Sequence, residues 1–326
     1  MFSQMSALVS YSPAYTIVPT YECFNRCSYC NFRREPGDSP WLTVGEMKQQ
    51  LAGLCEQGVV EILILSGEVH PNSPRREAWC DRIYELCDEA LSCGFLPHTN
   101  AGPLKFEEMA RLKQVNVSMG LMLEQMTRDL LQTVHRHAPS KVPSIRLQQL
   151  DWAGELKIPF TTGLLLGIGE SPSDWGWTLE AIAKIHDRSG HIQEVIVQPY
   201  SEGSRQGEPG YGFNLSQLPE VVAIARSILP EEVTVQIPPN LVIQPEILLK
   251  CLEAGARDLG GIGPQDVVNP DYPHINPETL SQIINRKGWQ LRPRLPIYPQ
   301  YDSWLSPRLQ KSVNSWRKKL QFSQGL

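Results

Sequence analysis

Short β-branched runs alternate with longer amphipathic runs across most of this 326-residue chain, and that alternation restricts its fold more than any other property. The extended runs fall at 15–20, 61–66, 95–100, 116–119, 160–166, 194–199, 234–237 and 256–260. Between them lie stretches of about 10 to 20 residues with helical periodicity. Thr43-x-x-Glu46 forms a capping box at one helix start, where the Thr oxygen and the Glu carboxylate satisfy orphan amides. Ser73-Pro74 predicts another start, with Gly94 as the stop of that same helix. Eight strands alternating with eight helices predict an α/β fold, a (β/α)8 TIM-like barrel. The barrel is expected to span 1–287, with 288–326 as a C-terminal extension packing on or near it. The extension carries seven basic residues against one acidic and reads as a solvated terminal helix. Residues 201–214, with four glycines and one proline, read as a mobile loop above the barrel.

A chain that is 41% hydrophobic at this length can bury a full core. The formal charge of -5 supplies no basic field for nucleic acid. No apolar run approaches the ~18 residues of a membrane span, and no basic-then-apolar leader opens the chain, so a cytoplasmic protein without membrane contact is expected. Eight cysteines in such a chain argue against a disulfide framework. Cys55, Cys80, Cys87, Cys93 and Cys251 lie in helical stretches or at their ends and read as small, semi-buried residues.

The other three cysteines stand together as Cys23-x-x-x-Cys27-x-x-Cys30, with Tyr29 before the last. Three thiolates can hold three irons of one [4Fe-4S] cluster and leave the fourth iron open to a small molecule. A structural zinc site normally takes four protein ligands, and an electron-carrying ferredoxin closes its cluster with a fourth cysteine. This spacing resembles the radical S-adenosyl-L-methionine (SAM) superfamily. The resemblance implies that the open iron chelates SAM and that the cluster's electron cleaves it to methionine and a 5'-deoxyadenosyl radical.

In such barrels the active site lies at the carboxyl ends of the strands. After the second strand, Ser66-Gly67-Glu68 is similar to the superfamily's Gly-Gly-Glu segment, which binds the methionine amino group, with Ser66 in place of the commoner glycine. The fifth strand runs into Gly163-Leu-Leu-Leu-Gly167-Ile-Gly169-Glu170. This looks like the G-x-I-x-G-x-x-E segment beside adenine, with Leu165 replacing isoleucine. Ser118-Met119-Gly120 leads to Glu124, placed to reach ribose hydroxyls. Arg146 can pair with the SAM carboxylate through its planar fork or face solvent. His98, Asn100, Gln198, Tyr200, Asn240 and Asp258 supply further polar groups near strand ends and suggest a second, hydrogen-bond-rich ligand; alternatively they tie loops. Among them His98, Gln198, Asn240 and Asp258 are the candidates for catalytic contact. His135 and His137 lack a third ligand nearby and read as orienting groups rather than a second metal site.

The likeness narrows over Cys23 to Arg34, Leu65 to Glu68, Val117 to Glu124, His137 to Lys141, Gly163 to Glu170 and Gly190 to Gln198. Gln236-Ile-Pro-Pro-Asn-Leu241 and Asp258-Leu-Gly-Gly261 continue it, and Gly263-Pro264 matches only in part. Together these segments resemble 7,8-didemethyl-8-hydroxy-5-deazariboflavin (FO) synthase, specifically the ring-closing subunit that is a separate chain in archaea and cyanobacteria. The resemblance implies that a partner subunit joins tyrosine to a ribityl-aminouracil. The present chain would then abstract hydrogen from that 4-hydroxybenzyl adduct, 5-amino-5-(4-hydroxybenzyl)-6-(ribitylimino)-dihydrouracil, and close the third ring with loss of ammonia. An external one-electron reductant is implied too. The rival readings are the tyrosine-using partner, a menaquinone-pathway (aminofutalosine) relative, an iron–sulfur electron carrier and a zinc scaffold.

Overall fold

β-branched side chains suit strands that pack on both faces, one toward a helical layer and one toward a barrel lumen. The computed structural model describes residues 8–206 and 212–323. Its strands are β1 (Leu8–Ile17), β2 (Glu61–Leu65), β3 (Leu96–Asn100), β4 (Ser118–Gly120), β5 (Phe160–Leu166), β6 (Ile192–Pro199), β7 (Thr234–Gln236), β8 (Asp258–Ile262) and β9 (Gln290–Pro293). Helices α1 (Val44–Leu51), α2 (Arg76–Ser92), α3 (Phe106–Leu112), α4 (Pro143–Glu155), α5 (Pro172–Ser189), α6 (Leu218–Ile228), α7 (Pro245–Glu253) and α8 (Pro277–Asn285) follow the barrel strands in turn. The first eight strands are parallel neighbours in chain order, and β1 closes the ring by pairing with both β2 and β8. The fold is the expected (β/α)8 barrel. Trp79, Ile83 and Leu86 of α2 pack in one core with Ile62 and Ile64 of β2, all fully buried.

The capping box forms at α1: Thr43 N donates to Glu46 at 2.8 Å and Glu46 N to Thr43 at 3.2 Å. Ser73-Pro74 does not open α2. Ser73 instead accepts from Arg75 N at 3.2 Å, and the helix begins at Arg76, whose side chain is wholly engaged with Glu108, Val69 O and Pro103 O.

β9 was not legible as a strand, because four residues ending in proline carry no alternation; it adds to β1 at Leu8–Tyr11. The following helix α9 (Pro307–Ser323) is not the freely solvated element its basic residues suggest. Leu309, Val313 and Trp316 form a buried stripe at helical spacing, joined with Leu295, Ile297, Tyr301 and Leu305 against Val60, Leu91, Leu96 and Val117. Trp316 Nε1 donates to Gly94 O at 2.7 Å, while Lys318 and Lys319 stay exposed. No helix among the described residues is long and apolar enough to cross a membrane.

The segment between β9 and α9 seals the amino-terminal end of the lumen. Arg294 there binds Asp258 through two hydrogen bonds, of 2.6 and 2.8 Å, and also pairs with Glu194. Glu194 further accepts from Thr161 at 2.9 Å and Tyr298 at 3.2 Å. Ser118 donates to Pro296 O at 2.5 Å, so His98, 2.7 Å away, donates from Nδ1 to the Ser118 oxygen.

Candidate active site

The loop after β1 carries the three cysteines and is held by backbone bonds to two neighbouring loops. Phe24 N donates to Glu68 O at 3.0 Å, Arg26 N to His137 O at 2.8 Å and Ser28 N to Val134 O at 3.1 Å. Asn25 reaches Ser140 N at 3.2 Å through its oxygen and the Cys23 sulfur at 3.7 Å through its nitrogen. Buried Glu22, just before the first cysteine, accepts from Gly37 N at 2.8 Å and Trp41 Nε1 at 3.3 Å and pairs with Arg75 at 2.9 Å. A Cβ on Gly67 would lie 2.1 Å from Glu22 O, so this glycine admits close backbone approach of its own chain, not of a ligand.

Cys23, Cys27 and Cys30 are free and partly exposed. Burial, with Glu68 nearby, pushes the Cys23 thiol up to about 11, and burial pushes Cys27 up to about 12. Thiolates at these positions therefore require a cation such as iron beside them. No three His, Cys, Asp or Glu side chains among the described residues could hold a single metal ion. Thiolates that serve three different corners of a cluster need not converge on a point, so the residues fit the cluster.

Cys30 opens onto a cavity of about 260 Å³ whose wall includes Tyr29, Ser66, Glu68, Asn100, Glu124, Lys141, Arg146, Leu165, Gln198 and Tyr200. Its polar wall alternates in sign. Arg146 lies 3.6 Å from Glu68, and Lys141 is paired with Glu124. Arg146 gives one hydrogen bond to Met122 O at 2.5 Å, but its buried Nε has no partner. An acid and an arginine with a spare donor suit the ammonium and carboxylate of one amino acid, so this wall fits SAM. Glu124 takes a positive φ of 66° and accepts from Tyr29 OH at 2.5 Å. Burial opposes its ionisation, yet Lys141 and Arg146 hold it well below the usual carboxylate range. Burial and the Glu124 charge push the Tyr29 hydroxyl well up.

Several expected contacts fall elsewhere. Ser118 opens β4 and is committed to His98 and Pro296 at the sealed end, so it lies away from any ribose site. His98 sits in the middle of β3, and Asp258 begins β8 rather than ending it, bonded to Arg294. Neither lines the two mouth-side cavities. Glu170 is spent on Gly167 N at 2.6 Å, Ile168 N at 2.9 Å and Trp175 Nε1 at 3.0 Å, so it shapes the β5 loop without facing the cavity. Gly167, at φ +86°, meets Phe213. Ser66 lines the cavity, but its hydroxyl donates to Gly67 O and accepts from Trp79. His135, read as an orienting group, lies 2.9 Å from Tyr29 OH, whereas Lys141 had no assigned role; a lysine in a loop gives no sign of burial before the fold is known.

A second cavity, about 170 Å³, occupies the lumen beyond Gln198 and shares Leu65, Gln198, Val268 and Asn269 with the first. Gln236, Asn240, Asp266 and His274 line it. At the first cavity, which Ser201 lines, the described part of the predicted mobile loop, 201–206, is tied down; residues 207–211 lie outside the described residues. Asp271 accepts from Ser204 N at 2.8 Å, Ser204 Oγ at 2.9 Å and Asn31 Nδ2 at 3.2 Å, and Arg205 N donates to Asn31 at 2.8 Å.

The profile of the Radical SAM superfamily matches residues 17–182. A 7,8-didemethyl-8-hydroxy-5-deazariboflavin synthase of Trichormus variabilis is 65% identical over 311 residues, covering 95% of this chain and 92% of that protein. The synthase of that name from Gloeobacter violaceus is 57% identical, covering 96% of this chain and 97% of that one. Among solved structures, the FeFe-hydrogenase maturase HydG from Carboxydothermus hydrogenoformans shares the fold at a TM-score of 0.72 and 18% identity, covering 95% of this chain and 77% of that chain.

Proposed function

The chain belongs to the 7,8-didemethyl-8-hydroxy-5-deazariboflavin synthase family of radical SAM enzymes, and from that premise we propose that it is the ring-closing member of the pair. In this reading its substrate is the 4-hydroxybenzyl adduct of a ribityl-iminouracil, made by a partner subunit. It removes hydrogen from that adduct and closes the third ring with release of ammonia.

The observation that carries this choice is the wall of the lumen cavity, which among the described residues includes no lysine or arginine. An enzyme that used tyrosine itself, or a carboxylated menaquinone precursor, needs a cation for that second carboxylate. The one acid-and-base wall beside Cys30 is taken by SAM, and the lumen suits an uncharged ligand.

When bound, the cluster and SAM supply an electron and a 5'-deoxyadenosyl radical. Cys23, Cys27 and Cys30 hold the cluster, Glu68 accepts from the methionine ammonium, and Arg146 faces its carboxylate. Glu124, fixed by Tyr29, Lys141 and His135, presents an ionised oxygen to the ribose. Leu165 and Tyr200 offer flat apolar surface to adenine. The strap tied at Asp271 would help shield the chamber from solvent.

The test is to incubate reconstituted protein with SAM, dithionite and either the adduct or tyrosine plus the ribityl-aminouracil. The adduct should give fluorescent deazaflavin with ammonia in equal amount, and the separate substrates should give none. Deazaflavin from tyrosine by this chain alone would reverse the assignment.

A further inference from the structure

We infer that the amide of Gln236 reads the pyrimidinedione edge of the substrate, with Gln198 and the Asn240 oxygen beside it; this rests on the ring-closing reading above. Most polar groups in the lumen cavity are already spent. Asp266 accepts from Val268 N and Asn269 N at 2.9 Å each with one oxygen, and from Asn240 at 2.9 Å and Asn269 at 3.2 Å with the other. Asn240 Nδ2 gives its second hydrogen to Tyr272 O at 3.0 Å, leaving only its oxygen for a ligand. His274 Nδ1 lies within hydrogen-bond distance of both Gly263 N (3.1 Å) and Gly263 O (2.9 Å).

Gln236 differs. It is 8% exposed, it lines the cavity, and its amide has no hydrogen-bond partner among the described residues. An amide that faces a cavity without a protein partner keeps both its donor and its acceptor for a matching ligand. Its room is provided locally: Gly260 stands at φ +74°, and a Cβ there would lie 2.4 Å from Gln236 Nε2. β7 sets Gln236 beside Ile196 of β6 and Asp258 of β8, one layer above the Arg294 seal. Gln198, also without a partner for its amide among the described residues, stands at the junction with the SAM cavity.

A primary amide presents one donor beside one acceptor. The C=O and N3–H of a pyrimidinedione present the complementary pair, so two parallel hydrogen bonds join them. With no lysine or arginine in the wall, the same cavity disfavours a phosphorylated ribityl chain.

The experiment measures equilibrium binding of the adduct and of its N3-methyl analogue to the wild type, Gln236→Glu and Gln236→Leu. Binding of SAM serves as the control for an intact fold. Wild type should bind the N3-methyl analogue about 10- to 100-fold more weakly than the adduct. Both variants should bind the adduct more weakly with SAM affinity unchanged; Gln236→Leu should lose the discrimination against N3-methylation, whereas Gln236→Glu, which still accepts from N3–H, should keep it. An amide that held ribityl hydroxyls instead would leave wild type indifferent to N3-methylation, and that result overturns the assignment. Wild type that converts the adduct while Gln236→Leu keeps full discrimination overturns it too, with the ring-closing reading intact. Wild type that binds no adduct overturns both.

Discussion

The guanidinium of Arg146, on α4, lies 3.6 Å from the carboxylate of Glu68, on the loop after β2. At that separation the two charges attract but do not share a direct hydrogen bond, so each keeps capacity for a zwitterionic ligand. Glu68→Gln should therefore keep the cluster while weakening SAM binding by about 1.5 to 3 kcal/mol, the range for hydrogen bonds to charged groups. Titration of reconstituted protein with SAM measures this, and an unchanged affinity removes Glu68 from the site.

Cys23→Ala, Cys27→Ala and Cys30→Ala should each abolish the iron–sulfur absorption and SAM cleavage. Cys55 is exposed, and Cys251 is buried against α7 neighbours far along the chain, so alanine at either should leave the visible spectrum intact. Iron loss in this second pair equal to that in the first would show the ligand set to be wrong.

Arg294 is the cation shared by Asp258 and Glu194 at the sealed end of the lumen. Arg294→Met should destabilise the fold by about 3 to 5 kcal/mol, because it leaves buried carboxylates without a cationic partner. Chemical denaturation at neutral pH checks this; a loss under about 1 kcal/mol would mean the network is not a lock.

Burial pushes the Glu194 carboxyl up to about 7; Arg294 opposes the shift, and Asp258 adds to it. A carboxyl raised above its unfolded value binds more protons in the native state, so its contribution to stability falls as pH rises from about 4.5 to above 7. Burial moves His98 down to about 3, with Arg294 assisting, and that group acts in the opposite direction as pH falls below about 6.5. The difference curve between wild type and Glu194→Gln isolates the first effect. The variant should gain relative stability as pH rises from about 4.5 and level off above about 7, where the carboxyl is ionised in both states. A flat difference across that range would place the Glu194 titration elsewhere.

Asp271 fastens the strap at Ser204 to the cluster loop at Asn31. Asp271→Ala should raise the KM for the adduct several-fold and leave SAM affinity unchanged. It should also release more 5'-deoxyadenosine than deazaflavin, since a loosened strap lets the radical meet other hydrogen donors. Product ratios from a single reaction decide it, and a ratio held at one would leave the strap without a part in shielding.

The strand–helix alternation and the cysteine spacing could be read directly, because both are local. A β-branched run such as 160–166 is extended wherever it lies, and three thiols within eight residues stay together in any fold. That Glu68, Arg146 and Glu124 would come to one end of the barrel was also legible, since each follows a strand or opens a helix there. Height along the barrel axis was not. Asp258 and His98 look like strand-end groups in the sequence, but a shift of two residues in where β8 begins carries Asp258 to the sealed end. Nor could local sequence reveal that Arg294 would cross 36 positions to neutralise Asp258, or that Lys141 would be drawn in to face Glu124. Nothing near Gln236 in sequence marks its amide as unpaired; only closure of β7 against β6 and β8 leaves it facing a lumen whose other polar groups are mostly spent on the protein. Local chemistry decided which elements form and which three thiols stand together. Long-range packing decided which polar groups spend their hydrogen bonds on the protein and which keep them for a ligand.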